Sequence, residues 1–339
     1  MKLKHIIIAV MATLVTACGN TPRNEKNDTR EPQIFPDYCG VTVPVGIAPM
    51  NFDVCGGADR IDLTVSGTKG GTLHTNAGSV DMDIDEWHAL LEKNRGARLD
   101  FSLAVRRNGE WTRYATFPMY VSDAPLDDWG LTYRRIAPSY VNYNQMGIYQ
   151  RCLANFDETP ILENTADPGS CINCHTANRT DPRQFTFHVR GPHGATLIQQ
   201  DGRREWLNTA TDSTLAACVY PYWHPTGKYV AFSTNVTRQD FHATRGERIE
   251  VLDLKSDLQV YCPATHELLL SPLLRTDDFE TYPAFSPDGK WLYFCSARYR
   301  KIPAEYKEIR YNLCRIAFDA ATGTFGNKVD TIFNASVHG

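Results

Sequence analysis

The side chains with the plainest chemical purpose in this sequence are Cys171, Cys174 and His175, in the run Cys-Ile-Asn-Cys-His. Two thiols three positions apart can each add to one of the two vinyl groups of a porphyrin. The adjoining imidazole can then ligate the iron from the proximal side. The spacing predicts one covalently attached haem c, bonded through Cys171 and Cys174 and ligated by His175. Two other chemistries use the same residue types. A thioredoxin-like redox pair needs a strand-to-helix junction, whereas Pro168-Gly169-Ser170 precedes the run and Asn178 to Pro182 follows it, which reads as loop. A structural zinc site needs a second pair of ligands, and the chain has no second Cys-x-x-Cys.

An iron that only transfers electrons is usually six-coordinate, so a second axial ligand is expected. His188 ranks first, Met146 second and His193 third. In Phe185-Thr186-Phe187-His188-Val189, alternation puts Phe185, Phe187 and Val189 on the face opposite His188. His188 also reads as a hydrogen-bonded strand histidine, and Met146 as core filling. Arg151 and Arg190 are candidates to pair with haem propionates, and equally read as surface residues. Trp129, Tyr133, Tyr140, Tyr143 and Tyr149 suit a flat apolar cofactor, and suit an interdomain core at least as well.

Haem attachment requires export, and the N-terminus speaks to that. Met1 to Lys4 is basic, Ile6 to Val15 is apolar, and Val15-Thr16-Ala17-Cys18 ends the run with small residues before a cysteine. This segment resembles a bacterial lipoprotein signal peptide, which implies removal of residues 1–17 and lipidation of Cys18. The expected location is the bacterial cell envelope, lipid-anchored to a membrane and facing the periplasm or the cell surface. The apolar run is too short to span a bilayer, and no later stretch of about 20 apolar residues follows. Residues 18–35 are polar and aperiodic, a tether. Seven of the ten cysteines remain after Cys18, Cys171 and Cys174, and among them Cys39 and Cys55 are disulfide candidates.

With 339 residues and 42% hydrophobic content, the chain can bury more than one core. A net charge of −4 without a basic stripe argues against a nucleic-acid partner. Residues 36–123 read as short alternating strands, including Arg60 to Val65, Leu99 to Val105 and Trp111 to Phe117 with Asn108-Gly109 as the hairpin turn. One helix is expected near Asp85 to Leu91, with Asp85 as cap and Trp87, Leu90 and Leu91 on one face. The pattern predicts an immunoglobulin-like β-sandwich. Residues 124–196 read as a connecting segment that holds the haem motif.

From 197 to 339 the chain repeats. Tyr220-Pro221-Tyr222-Trp223-His224-Pro225-Thr226-Gly227-Lys228 aligns with Tyr282-Pro283-Ala284-Phe285-Ser286-Pro287-Asp288-Gly289-Lys290 at an offset of 62 residues. Each is followed by an apolar strand, then by a further strand at Ile249 to Leu254 or Leu313 to Phe318. Antiparallel units of this kind are propeller blades. The stretch Tyr282 to Phe294 resembles the repeat of TolB-type β-propellers, from which the first copy departs at His224 and Thr226. The whole is similar to bacterial exported lipoproteins that join a sandwich-like region, one Cys-x-x-Cys-His segment and TolB-like repeats. The resemblance implies a mainly β fold with a partial, possibly shortened propeller, since two repeats cannot close a ring.

The functional expectation is an anchored mono-haem protein that passes single electrons to an unidentified partner protein. The alternative is a binding or scaffolding lipoprotein whose propeller recognises protein or glycan. Nucleophile elbow, His-Glu-x-x-His and phosphate-binding loop are all absent, so hydrolase chemistry has no residues to carry it. Peroxidase activity needs an open distal position on the iron, which the sequence leaves open.

Overall fold

Alternation along Arg60–Gly67 sends Ile61, Leu63 and Val65 into one core, and the same period along Arg98–Arg107 adds Leu99, Phe101, Leu103 and Val105. These strands belong to a computed structural model that describes residues 21–126, 130–136, 145–179, 181–243 and 249–338. The signal-like segment, Cys18, Trp129, Tyr140 and Tyr143 lie outside the described residues. The chain is mainly β and divides into two units. The first runs to residue 129 and includes residues 152–156; the second holds 130–151 and 157–339.

The first unit contains β1 (Lys26–Asn27), β2 (Ile34–Phe35), β3 (Thr42–Val45), β4 (Asp53–Val54), β5 (Arg60–Gly67), β6 (Thr72–Ala77), α1 (Ile84–Lys93), β7 (Arg98–Arg107), β8 (Glu110–Arg113) and β9 (Phe117–Pro125). Where alternation leads one to expect two facing sheets, seven strands form one hydrogen-bonded sheet and β2–β4 a separate pair. The long β7 explains this: one edge pairs with β5, while the other pairs with β9 through its first half and with β8 through its second. The β7–β8 turn is the expected one, with Asn108 and Gly109 both at positive φ. Helix α1 covers the core with Trp87, Leu90 and Leu91. Its cap is Asp83 rather than Asp85, because the Asp83 carboxylate accepts the Glu86 N–H at 3.0 Å. Cys39 and Cys55 are both free thiols, so the expected disulfide is not formed.

The second unit is a series of antiparallel meanders. A three-stranded sheet, β10 (Gly130–Ile136), β11 (Met146–Cys152) and β12 (Glu158–Glu163), comes first. A four-stranded sheet follows: β13 (Cys171–Asn178), β14 (Asp181–Arg190), β15 (Ala195–Gln200) and β16 (Arg203–Leu207). The stretch expected as a connecting segment is therefore mostly sheet, and residues 196 and 197 both lie within β15. Next come β17 (Cys218–Trp223), β18 (Val230–Phe241), β19 (Ile249–Cys262) and β20 (Glu267–Leu269), then β21 (Phe279–Phe285), β22 (Trp291–Ala297), β23 (Asn312–Asp319) and β24 (Thr324–Phe333). These last two meanders join into one eight-stranded sheet through the parallel pair Ser256↔Phe279. Among the described residues, no helix is long and apolar enough to cross a membrane.

The two repeats place their glycines alike. Gly227 and Gly289 have φ of 73° and 72° and donate to the carbonyls of His224 and Ser286 at 2.8 and 2.9 Å. In the first copy His224 replaces the serine, and its buried ring packs on Phe285 at 4.8 Å between centroids.

Candidate functional site

Cys171, Cys174 and His175 lie on a strand, not in a loop. Strand β13 pairs with β14 through Cys171↔Arg190, Ile172↔Val189 and Asn173↔His188, then resumes at Thr176↔Thr186. Two residues on β13, Cys174 and His175, thus lie opposite one on β14, Phe187; this is a bulge, and Cys174 sits in it at φ 52°. The same shift occurs between Val219 and Tyr222 and between Thr281 and Ala284, with Tyr220 at φ 49° and Tyr282 at φ 55°. Cys174-His175 therefore occupies the position that Tyr220-Pro221 and Tyr282-Pro283 hold in the other two meanders. The cysteine motif is part of a third copy of the same strand–bulge–turn–strand unit.

The bulge decides which way each side chain faces. Directly paired residues share a face, so Cys171 and Asn173 lie on the side of Arg190 and His188. Ile172, Phe185, Phe187, Val189 and Leu197 form the core on the other side, with Ile148. The extra residue reverses the alternation, and His175 points to that second side, 6.3 Å from the Phe185 ring. Its Nε2 lies 2.8 Å from Thr132 Oγ1, and burial pushes its pKa down to about 4. The imidazole is thus neutral at pH 7, the form that ligates metals.

His188 is held on the opposite face. Its ring is buried, Nδ1 lies 3.0 Å from Thr196 Oγ1, and burial, with a smaller effect from Arg190, lowers its pKa to about 4. The sheet separates it from His175, so the expected pairing of these two imidazoles on one iron is not met here. The bulge between Asn173 and Thr176, which nothing in the sequence marks, is the reason. His193 lies in the exposed turn after β14, 3.1 Å from Asp167. Met146, by contrast, is buried on β11 and shares a face with Ile148, which belongs to the core beside His175. Met146 also lines a cleft of about 510 Å³ with Arg135, Tyr149, Glu163 and Asn164.

Of the two expected arginines, Arg190 is opposite Cys171 and within electrostatic reach of its thiol. Arg151 is not: it pairs in register with Glu158 and lies beside Tyr133. Arg134 takes its place. It bonds Asn173 Oδ1 at 2.5 Å and, like Arg190, reaches Cys171, opposing the burial that raises that thiol's pKa. Only the packing of β10 against β13 and β14 identifies Arg134 and Thr132; no spacing in the sequence marks them.

The donor set fits a c-type haem in its chemistry through two free, partly exposed thiols and a neutral imidazole; Arg134 and Arg190 act on the Cys171 thiol. Because Cys171 and His175 face opposite sides of β13, one haem bound to both requires the Asn173–Thr176 bulge to turn. Among the described residues, no three His, Cys, Asp or Glu side chains gather as a metal site.

No family model matches the chain, and no curated protein does. Among solved structures it is similar to a periplasmic gluconolactonase of Pseudomonas aeruginosa, with 11% identity, TM-score 0.30, 80% of this chain and 83% of that one covered. It is also similar to a mannose phosphorylase from Leishmania mexicana in complex with phosphate, with 12% identity, TM-score 0.27, and 88% and 94% covered. A third is the hydrazine synthase of Kuenenia stuttgartiensis, with 11% identity, TM-score 0.25, and 91% and 97% covered. At these scores the likenesses bear on neither activity nor ligand.

Proposed function

We propose that this chain is a mono-haem c-type protein of the bacterial cell envelope, anchored by lipid on Cys18, that passes single electrons to a partner protein. In this reading the three four-stranded meanders are successive blades of an incomplete TolB-like propeller, and the first unit is a sandwich-like scaffold. One observation carries it: of three copies of the same bulged unit, one alone replaces Tyr-Pro with Cys-His and adds a second thiol at Cys171.

Attachment consumes no oxidant, since each thiol adds across a vinyl group, forming a C–S bond and leaving its hydrogen on the adjacent carbon. The haem supplies one-electron exchange at its iron. Cys171 and Cys174 would hold the ring, and neutral His175 would offer its nitrogen to the iron. Arg134 and Arg190 would ease ionisation of the Cys171 thiol against the burial that raises its pKa. Met146 would be better placed than His188 to offer a second ligand, because its strand neighbour Ile148 packs in the core on the His175 side of the sheet, whereas His188 faces away from it.

The test is expression in a host that attaches haem c, followed by intact mass and visible spectra of the ferrous and ferric protein. The expected result is one added haem and a low-spin spectrum, converted to high-spin by Met146→Ala and retained in His188→Ala. A mature mass without haem would overturn the reading. A high-spin wild type that turns over peroxide would replace electron transfer with peroxidase chemistry.

A further inference from the structure

The bulges of the two later copies hold tyrosines whose rings meet. The centroids of Tyr220 and Tyr282 are 4.7 Å apart at an interplanar angle of 56°, and Tyr282 is 50% exposed. Behind them runs a buried polar chain. Asn235 donates from Nδ2 to Asp253 Oδ2 at 2.9 Å and to Thr281 Oγ1 at 3.3 Å, which ties the Asp253 carboxyl to the residue beside Tyr282. Ser233 steadies the amide by donating to Asn235 Oδ1 at 2.5 Å, and its hydroxyl lies 3.1 Å from Thr281 Oγ1.

Asp253 lies within electrostatic reach of both Tyr220 and Tyr311, and Tyr311 within reach of Tyr282. Three phenol rings and one carboxyl therefore gather between two meanders. Among the described residues, Asn235 is the side-chain partner of Asp253, and no Lys, Arg or His forms an ion pair with it. A partly buried carboxylate without a cation is costly, and the faces of tyrosine rings attract cations.

We propose that Tyr220, Tyr282, Tyr311 and Asp253 form a binding site for an organic ammonium group. The rings would meet the N-methyl or methylene hydrogens, and Asp253 would supply the counter-charge. A hard divalent metal ion is a poor match, because it seeks six to eight oxygen ligands and this site offers one carboxylate. A neutral ligand leaves the carboxylate uncompensated, and an anion is repelled by it. The inference does not depend on haem, although Cys174 lies within electrostatic reach of Tyr220.

The test is titration of the full-length protein with choline, with n-butylammonium, and with 3,3-dimethylbutan-1-ol as the uncharged isostere of choline, read by calorimetry and ligand-observed NMR. Saturable binding of an ammonium probe is expected, with the isostere at least about tenfold weaker. Asp253→Asn and Tyr282→Leu should each weaken it about tenfold. The first keeps an oxygen for Asn235 and the second alters a half-exposed side chain, so circular dichroism should match wild type. Wild-type protein made in a host without haem-attachment machinery keeps Cys174 beside Tyr220 and should still bind, which separates this site from the haem reading. Equal binding of the uncharged isostere, indifference to both substitutions, or no saturable binding of either ammonium probe would each overturn the proposal.

Discussion

Replacing Gly289 with alanine should cost far more than replacing another glycine of the same conformation. A Cβ at Gly289 would stand 2.4 Å from Nε2 and 2.6 Å from Cε1 of His224. That ring cannot easily withdraw. It is 2% exposed, it donates from Nε2 to the Gly289 carbonyl at 2.9 Å, and it packs on Phe285, Phe318 and Tyr229. Left-handed backbone costs alanine about 1–2 kcal/mol, and displacing a packed core ring adds about 1–3 kcal/mol. The expected total is about 2–5 kcal/mol. Gly202 separates the two contributions, since its φ is +77° with nothing within 4 Å of the added carbon. Gly202→Ala should therefore show the backbone part alone, about 1–2 kcal/mol. Hydrogen exchange of β21–β23 amides reads the local stability around Gly289, and urea unfolding reads the rest. In a His224→Ser background, the Gly289→Ala cost should fall to that of Gly202→Ala, a coupling measurable by double-mutant cycle. Equal costs at 202 and 289, or strict additivity with His224→Ser, would refute the reasoning.

Two further perturbations test other parts of the molecule. Because burial lowers the folded-state pKa of His188 from 6.5 to about 4, its contribution is fully present above pH 6.5 and is lost as pH falls from there toward 4. The loss should be about 1.4 kcal/mol per pH unit within that window, and His188→Leu should remove that slope from urea midpoints measured between pH 7.5 and 4.5. In the first unit, Asn94 is fully buried, accepts the Lys69 N–H at 2.9 Å and donates to the carbonyls of Gly70 and Leu90 at 3.0 and 2.9 Å. Asn94→Ala should destabilise by about 2–4 kcal/mol in urea unfolding, as buried backbone groups lose their partners; a change below about 0.5 kcal/mol, the range of neutral surface substitutions, would show that water replaces the amide.

Local signals were readable where the chemistry is local. Asn108-Gly109 marks its hairpin because both residues accept positive φ, and Trp87, Leu90 and Leu91 mark the buried face of α1. The repeats at Tyr220 and Tyr282 are visible because their turns have equal length. The third copy is hidden for two physical reasons. Cys174-His175 replaces Tyr-Pro, and the turn after it is one residue longer, with Ala177↔Phe185 against Trp223↔Val230 and Phe285↔Leu292. Alternation correctly sets His188 opposite Phe185, Phe187 and Val189, but the bulge that turns His175 to the side of those residues is not marked in the sequence. The roles of Thr132, Arg134 and Asp253 depend on which strands become neighbours, a tertiary outcome that no single segment encodes.

The left-handed bulge residue has a consequence for how such a chain can diversify. In all three copies the backbone at this point is fixed by the same pairing shift, whether the residue is Cys174, Tyr220 or Tyr282. The position accepts both a thiol and a phenol with the same pairing on either side, so one copy carries a nucleophile while its siblings keep aromatic rings. Duplication followed by substitution at a single structurally tolerant position can thus introduce new reactivity into an existing scaffold, one unit at a time.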